Sequence, residues 1–174
     1  RAEALRQKII KSGVSKYNLG IKAALPSLPK GHRILVPGQV EDDASIKLGT
    51  SKWQTNSDLL VETRRANPDA ILIYKPHPDV EAGLRDGGLS NEAAAVADII
   101  ATNADALGLL ACVDSVWTMT STLGFEALLR GVPVTCLGAP FYAGWGLTRD
   151  IAATPDRRTA RPSLDQFTHA TLID

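Results

Sequence analysis

The sequence lacks an excess of either charge. Its 19 lysine and arginine residues are matched by 19 aspartate and glutamate residues, which leaves a formal net charge of zero. Proteins that attract a nucleic-acid backbone or an anionic membrane do so with a basic surface. We therefore exclude polynucleotide binding from the expected functions of this chain.

Long apolar runs are also missing. No stretch approaches the roughly 20 apolar residues that a membrane-spanning helix needs, and the first residues do not follow the pattern of a signal peptide. The chain begins with Arg1 rather than with methionine. We therefore expect it to be a piece of a longer protein, with a processed product as the alternative.

Cysteine and aromatic residues are scarce. The two cysteines, Cys112 and Cys136, lie in apolar runs, where a buried thiol behaves as a small hydrophobic side chain. Two such cysteines fit a reducing compartment. Because only 5% of the residues are aromatic, the segment Pro-Phe-Tyr-Ala-Gly-Trp-Gly at 140–146 stands out. Its rings can stack on a sugar or a base, or they can fill an interface with a neighbouring domain, and composition does not decide between the two.

The length and hydrophobic content of the chain suffice to form one domain. With 174 residues, 44% of them hydrophobic, the chain can bury an ordinary core. Apolar runs typical of strands alternate with helical patterns. The predicted strands are 33–36, 70–74, 115–119 and 132–137, and the predicted helices are 2–11, 55–66, 105–112, 122–130 and 164–172. Residues 94–100 fit either a helix or a strand.

The predicted strands are unbroken apolar runs rather than alternations of apolar and polar residues. This pattern is typical of a parallel sheet covered on both faces. The expected fold class is therefore α/β, a Rossmann-like parallel sheet with helices on both faces. Prolines near residue 29 mark a linker, so residues 1–29 are assigned to a connecting helix and linker, and residues 30–174 to the Rossmann-like domain.

The start of the fourth predicted helix contains residues that could bind a ligand. Ser121 and Thr122 place two hydroxyls and unpaired N–H groups at the positive end of a helix dipole, which can receive a phosphate. Gly124 would let a ligand approach the backbone, and the carboxylate of Glu126, in the first turn, could accept hydrogen bonds from a ribose. An ordinary N-cap followed by an acidic residue explains the same pattern.

The segment Lys75-Pro76-His77-Pro78 follows the second predicted strand. Two prolines stiffen the turn and hold the imidazole of His77, which could donate to a phosphate or to a leaving-group oxygen. Lys75 could balance charge there. The alternative is a rigid turn with a solvated histidine. His32 and His169 have no such setting, and we interpret both as structural or exposed.

Three consecutive carboxylates, at residues 41–43, follow the first predicted strand. At the carboxyl end of a strand, one of them could act as a nucleophile or a base. A magnesium site is a weaker alternative, because no second carboxylate cluster supports it. A solvated acidic loop is the plainest interpretation.

Several motifs, taken together, resemble the capsule polysaccharide synthesis family. Within it the chain is most similar to the carboxyl-terminal module of the KpsC-type (LipB-type) β-Kdo transferases. The motifs occur in family order and are Ser-Lys-Tyr-Asn at 15–18, Val-Pro-Gly-Gln-Val-Glu-Asp-Asp-Ala-Ser-Ile at 36–46, Tyr-Lys-Pro-His-Pro at 74–78, Met-Thr-Ser-Thr-Leu-Gly-Phe-Glu-Ala-Leu-Leu-Arg-Gly at 119–131 and Pro-Phe-Tyr-Ala-Gly-Trp-Gly-Leu-Thr at 140–148.

The resemblance implies one lobe of a GT-B-like, retaining glycosyltransferase. The implied donor is CMP-Kdo, with no cofactor or metal, and the implied acceptor is a β-Kdo oligosaccharide on a phosphatidylglycerol-type lipid in capsule biosynthesis. Such an enzyme would work in the cytoplasm, with possible peripheral contact at the inner-membrane face. Catalysis in this class takes place between two lobes, so we expect the chain to be inactive without its missing amino-terminal lobe.

The resemblance also implies residue roles. Asp43 corresponds to the nucleophile, Gln39 and Ser45 shape its loop, and His77-Pro78 is similar to the CMP-binding motif of bacterial sialyltransferases. The implied catalytic residues are thus Asp43, His77 and Gln39. The implied nucleotide-binding residues are Lys75, His77, Pro78, Ser121, Thr122, Gly124 and Glu126. Asp43 is followed by Ala44 rather than by the glycine of the sialyltransferase motif, so that analogy does not assign a base.

Other functions remain open from the sequence. One is a non-catalytic nucleotide-sugar-binding module in capsule export. Another is a different nucleotide-sugar enzyme, such as a sialyltransferase that uses another CMP-sugar, or a UDP-sugar epimerase with a similar helix start.

Overall fold

A computed structural model describes residues 1–16 and 25–174. Its elements, in chain order, are α1 (Ala2–Lys11), β1 (Arg33–Pro37), α2 (Ala44–Gly49), α3 (Asn56–Ala66), β2 (Ile71–Lys75), α4 (Pro78–Glu81), α5 (Asn91–Ala94), β3 (Ile99–Ile100), α6 (Ala106–Leu110), β4 (Ser115–Thr118), α7 (Thr122–Leu129), β5 (Val134–Cys136), β6 (Arg149–Asp150) and α8 (Leu164–Leu172). The Ser-Lys-Tyr-Asn motif at 15–18 lies partly outside the described residues.

The strands form one sheet in the order β3-β2-β1-β4-β5-β6. All the pairings are parallel, with Val36 opposite Tyr74 and Leu35 opposite Val116. The chain runs outward from β1 to β3 on one side and returns to β4 on the other, so the strand order reverses between β1 and β4. Ligands of open α/β sheets bind at such a point, outside the carboxyl ends of the strands.

The unbroken apolar strands are explained by a core on each side of the sheet. Successive strand residues point to opposite faces. Thus Leu35 joins the cluster that packs against α6, α7 and α8, whereas Ile34 and Val36 join the cluster against α2 and α3. Both faces are therefore covered, and the prediction of an α/β, Rossmann-like parallel sheet is confirmed.

Local capping explains where several predicted helices begin. Thr55 and Asp58 form a capping box at the start of α3, and Ser163 and Gln166 form another at the start of α8. Each box satisfies N–H groups that lack partners in the first turn. Helix α1 lies beside α8, where the Arg6 guanidinium donates to Asp165 at 2.9 Å.

Other elements differ from expectation. Helix α2, at residues 44–49, was not predicted; it directly follows the acidic run 41–43, and the Asp43 carboxylate caps its first turn. The ambiguous segment 94–100 contains the end of α5 and the two-residue strand β3. Strand β6 has only two residues and was not predicted. Both cysteines are free, but Cys112 is only half-buried, whereas Cys136 is buried.

Candidate functional site

A cleft of about 1660 Å³ opens at the carboxyl edge of β1, β2 and β4. It is lined by the loop after β1, by the turn after β2 and by the start of α7. All of the predicted site residues except Gly124 line it, namely Gln39, Asp43, Lys75, His77, Pro78, Ser121, Thr122 and Glu126. The parallel topology therefore brings segments that are distant in sequence to one place.

The three carboxylates after β1 have three separate environments. Glu41 accepts the Asn56 backbone N–H at 2.7 Å, and Asp42 pairs with the Arg85 guanidinium at 2.6 Å. The Asp43 carboxylate accepts the Ser45 N–H at 2.7 Å. This hydrogen bond holds the pKa of Asp43 below its usual value. Asp43 is therefore an exposed, ionised carboxylate on the cleft rather than one member of an acidic cluster.

Gln39 is a buried link between two walls of the cleft. Its amide nitrogen donates to the Thr120 hydroxyl at 2.9 Å, and its amide oxygen accepts the Thr120 N–H at 2.9 Å. Both ends of the amide are thus used by protein groups. In this structure Gln39 joins the loop of Asp43 to the turn before α7, which is a positioning role.

Asn56 holds the other side of Gln39, a role that no sequence pattern indicated. Fully buried at the first position of α3, it accepts the Gln39 N–H at 2.8 Å and donates to the carbonyls of Gln39 and Gly87 at 2.7 and 2.8 Å. Thr55 and Asn56 both have side chains of the type that caps a helix. Thr55 takes that role, which leaves Asn56 to fix the loop.

His77 is the N-cap of the short helix α4. Its Nδ1 accepts the Asp79 N–H at 3.2 Å, so the neutral imidazole carries its proton on Nε2. Burial lowers the pKa of His77, the charges of Lys16 and Lys75 lower it further, and the carboxylates of Asp79 and Asp43 oppose them. The ring is therefore a neutral donor at pH 7.

Lys75 is buried at the end of β2, with 8% of its surface exposed. Its ammonium lies 3.7 Å from the carboxylate of Glu81, which also accepts the Asn103 N–H at 2.7 Å. The ammonium of Lys75 is therefore paired with the carboxylate of Glu81, which is itself held by a hydrogen bond.

The start of α7 is held from two sides. The Ser121 hydroxyl accepts the Leu123 N–H at 3.2 Å as the N-cap, and its carbonyl accepts the Tyr142 hydroxyl at 2.5 Å. Gly124 is needed for this second contact, because a Cβ there would overlap the Tyr142 hydroxyl. Gly124 was expected to let a ligand approach the backbone. In the structure its missing side chain instead makes room for Tyr142.

Glu126 lies in the second turn of α7 rather than in the first, with 7% of its surface exposed. One carboxylate oxygen accepts the Lys16 backbone N–H at 3.0 Å. The other is buried without a hydrogen-bond partner among residues 1–16 and 25–174. Such a group costs about 1–3 kcal/mol, and native proteins rarely leave one without a reason. A ligand hydroxyl would satisfy it.

The aromatic segment divides between the core and the cleft. Tyr142 is fully buried, while Phe141 is 47% exposed and lines the cleft. The rings of Phe125, Phe141, Tyr142, Trp145 and Phe167 form one cluster, with Phe125 and Phe141 5.1 Å apart. Most of the segment therefore packs within the domain, and Phe141 is its ring available for stacking.

The described part of the chain contains neither a metal-binding cluster nor a membrane-spanning helix. Residues 1–16 and 25–174 contain no group of three or more His, Cys, Asp and Glu side chains arranged to hold a metal. Within the same ranges, no helix has the length and apolar character to cross a bilayer. Outside the cleft, His32 is exposed beside Asp114, and His169 is half-buried beside Asp174.

Comparison with known proteins assigns the chain to a family. The Capsule polysaccharide biosynthesis protein family matches residues 4–174, so the chain belongs to this family, as its motifs predicted. The Capsule polysaccharide modification protein LipA of Neisseria meningitidis is 51% identical over 171 residues in the serogroup A strain and 52% in the serogroup B strain. The Lipopolysaccharide-processing protein LpsZ of Rhizobium meliloti is 47% identical over 176 residues. The meningococcal relatives carry the name LipA rather than LipB.

Two solved structures of KpsC from Thermosulfurimonas dismutans share the fold. The β-Kdo 2,4 transferase matches with a TM-score of 0.83 and 32% identity, and the β-Kdo 2,7 transferase with a TM-score of 0.76 and 38% identity. The alignments cover 97% and 96% of this chain, but 53% and 51% of those structures. The chain spans 24% of the LipA proteins and 40% of LpsZ.

Proposed function

We propose that this chain is the nucleotide-sugar-binding lobe of a retaining β-Kdo transferase that uses CMP-Kdo and no metal or other cofactor. The observation that carries the proposal is a buried carboxylate oxygen of Glu126, beside the amino end of α7, that has no hydrogen-bond partner in the described ranges 1–16 and 25–174. A nucleoside monophosphate suits this pair of features, because its phosphate can take the helix terminus while a ribose hydroxyl donates to the carboxylate. The names of the two KpsC structures support Kdo as the sugar.

The leaving group would be stabilised by hydrogen-bond donors. CMP departs as a single phosphate, which N–H and O–H groups can stabilise without a pair of metal ions. The donors on the cleft are the Ser121 and Thr122 hydroxyls, the first N–H groups of α7 and the Nε2–H of His77. Lys75 and Pro78 support the turn that presents His77, and Gln39 holds the turn before α7 against the loop of Asp43.

Retention of the anomeric configuration implies two displacements. In the first, a carboxylate oxygen of Asp43 bonds to the anomeric carbon while the bond to the phosphate oxygen breaks, and CMP leaves with that electron pair. In the second, an acceptor hydroxyl bonds to the same carbon, its proton passes to a base, and the Asp43 carboxylate is released. The exposed, ionised state of Asp43 suits the first step.

The remaining parts of the enzyme would lie elsewhere. The chain spans about half of the KpsC structures, so we assign acceptor binding to a second lobe and expect little turnover by this chain alone. The proposed acceptor is a β-Kdo oligosaccharide on a phosphatidylglycerol-type lipid. A lipid acceptor of this kind would place the complete enzyme in the cytoplasm at the inner-membrane face.

Calorimetric titration of the chain with CMP, CMP-Kdo and UMP tests nucleotide binding. We expect a preference for cytidine, and a loss of CMP affinity in Glu126→Gln of about 10- to 100-fold, as for a hydrogen bond to a charged group. Glu92→Gln, on the exposed start of α5, is the matched control and should bind normally. Equal binding of UMP would favour a UDP-sugar enzyme, and a Glu126→Gln affinity equal to that of the control would remove the ribose assignment.

Intact-protein mass spectrometry tests the covalent step. The complete protein that contains this chain, incubated with CMP-Kdo and no acceptor, should gain the mass of one Kdo. Asp43→Ala should abolish both the adduct and product formation, whereas Asp42→Asn should preserve both. A fully active Asp43→Ala protein would reject the nucleophile.

A further inference from the structure

A short segment before the first gap in the described residues is held onto α7 at two points. We call residues 14–16 the strap. The Val14 carbonyl accepts from the guanidinium of Arg130, the C-cap residue of α7, at 3.0 Å. The Lys16 main-chain N–H donates to the Glu126 carboxylate at 3.0 Å. The strap is therefore part of the same wall of the cleft as Glu126.

Arg130 forms a fork between the strap and α7. One guanidinium nitrogen donates to the Val14 carbonyl, and another donates to the Glu126 carbonyl at 2.9 Å. A guanidinium is planar and holds its donors at a fixed spacing, so the two carbonyls are set in place relative to each other. Arg130 is half-buried and does not line the cleft. Any effect of Arg130 on a ligand must therefore pass through the groups that it holds.

The strap determines how the Glu126 carboxylate is presented. A glutamate side chain has several rotamers, and each directs the carboxylate differently. The hydrogen bond from the Lys16 N–H fixes one carboxylate oxygen. The other oxygen is buried and has no hydrogen-bond partner in the described ranges. Because Lys16 is only two residues after Val14, the place of its N–H depends on the anchor that Arg130 provides.

We propose that Arg130 is a positioning residue for nucleotide binding, a role that rests on the proposed function. By holding Val14, Arg130 keeps the Lys16 N–H on one oxygen of Glu126 and leaves the other oxygen for a ribose hydroxyl. This contact is the part of the site that separates ribonucleotides from deoxyribonucleotides. Arg130 thereby determines how strongly the cleft selects a ribonucleotide, without touching the ligand.

Calorimetric titrations with CMP, 2′-deoxy-CMP and 3′-deoxy-CMP test this proposal. The analogue that lacks the hydroxyl bound by Glu126 should bind the wild type about 10- to 100-fold more weakly than CMP, as for a hydrogen bond to a charged group. Glu126→Gln should remove most of this preference. Arg130→Met should reduce it by about 3-fold or more, because a hydrogen bond weakens steeply when its angle is poor.

Two further arginine variants make the result specific. Arg64→Met is the matched control, because the Arg64 guanidinium also donates to main-chain carbonyls, those of Pro68, Ala70 and Val96, but does not line the cleft. It should lower the melting temperature without changing the preference for CMP. Arg130→Lys keeps the charge but not the planar fork. It should show most of the loss of preference, and it supplies the comparison if Arg130→Met does not fold.

The outcomes separate this role from the proposed function. An Arg130→Met chain that prefers CMP as strongly as the wild type overturns the positioning role. An equal loss of preference in Arg64→Met would indicate general destabilisation, and a wild-type preference in Arg130→Lys would indicate an effect of charge alone; either result also overturns it. A wild type that binds all three nucleotides equally, or a Glu126→Gln chain that keeps the wild-type preference, overturns the ribose assignment of the proposed function together with the role of Arg130.

Discussion

The two sides of the cleft are built differently. On the α7 side, Glu126 and Gly124 are buried and the helix start is fixed by Thr118 and Tyr142. On the β1 and β2 side, Asp43 and His77 are the N-caps of the short helices α2 and α4, and Asp43 is exposed. The polar groups of the α7 side are thus set in place by the core, whereas Asp43 and His77 are set in place by the local caps that they form.

The largest expected effect comes from cutting the link between the two sides. Gln39→Ala leaves the Thr120 N–H and hydroxyl without their partner in a buried place. We expect the free energy of unfolding to fall by about 2–4 kcal/mol, since each unsatisfied buried group costs about 1–3 kcal/mol. Urea denaturation measures this loss. Gln54→Ala, at an exposed position, is the control, and equal stability of the two variants would show that the link contributes nothing.

A smaller effect should follow from disturbing the α7 side alone. Alanine normally stabilises a helix relative to glycine by about 1 kcal/mol. In Gly124→Ala, however, the new Cβ would overlap the Tyr142 hydroxyl, and we expect a net loss of about 1–3 kcal/mol from overpacking.

The control for Gly124→Ala is Gly88→Ala, because a Cβ at Gly88 would meet no atom within 4 Å. Adding Tyr142→Phe to Gly124→Ala removes the overlapping hydroxyl and should recover part of the loss in the same denaturation assay. A Gly124→Ala protein as stable as the wild type would show that the helix start is less tightly held than the contacts indicate.

The stability of the protein should depend on pH through His77, on the β2 side. Burial lowers the pKa of His77 in the folded state below its ordinary value of 6.5. Above about pH 6.5 the imidazole is neutral in both the folded and the unfolded protein, so it does not change the free energy of unfolding. As the pH falls below that value, the unfolded chain binds the proton first, and the free energy of unfolding decreases. The decrease ends once the pH passes the lower, folded-state pKa.

Thermal melts at about pH 7.5 and about pH 5.5 check this prediction. His77→Asn keeps a capping side chain at α4 and should lose less stability over that interval than the wild type. His32→Asn, at an exposed position, is the control. If His77→Asn and the wild type show the same pH slope, the imidazole does not titrate as its burial implies.

The smallest effect is expected at the exposed ion pair on the β1 side. The side chains of Asp42 and Arg85 are 49% and 42% exposed, and such pairs contribute little to stability. Asp42→Asn and Arg85→Gln should leave the melting temperature and the CMP affinity unchanged within error. A clear loss of CMP affinity in Arg85→Gln would make this side part of the nucleotide site and weaken the contrast between the two sides.

Local signals in the sequence were sufficient to predict most of the helices and strands. The capping residues Thr55, Ser121 and Ser163 begin α3, α7 and α8 as their types predicted. The helix α2 was missed because its cap, Asp43, lies in a run of acids that suggested a loop. Glu126 was expected in the first turn of α7, but it follows the N-cap Ser121 by five residues and therefore lies in the second turn.

The predicted site residues met at one cleft because parallel strands expose their carboxyl ends at one edge. The partners that fix them were not predictable in the same way. Asn56 and Tyr142 act on residues that are distant in sequence, Gln39 and Ser121 respectively, and no local pattern indicates such pairs. The separation of Gly124 from the cleft likewise depends on which face of α7 packs inward.

By itself the sequence determined the class of fold, the order of its main strands and helices, the family and the segments that carry polar chemistry. These follow from local propensity, apolar periodicity and motifs, all of which act over a few residues. Only the tertiary structure decided that Gln39 is a buried link and that one carboxylate oxygen of Glu126 has no hydrogen-bond partner within the part of the chain that the structure describes. Those facts depend on which surfaces meet when the sheet is covered, and such contacts are set by packing across the whole domain.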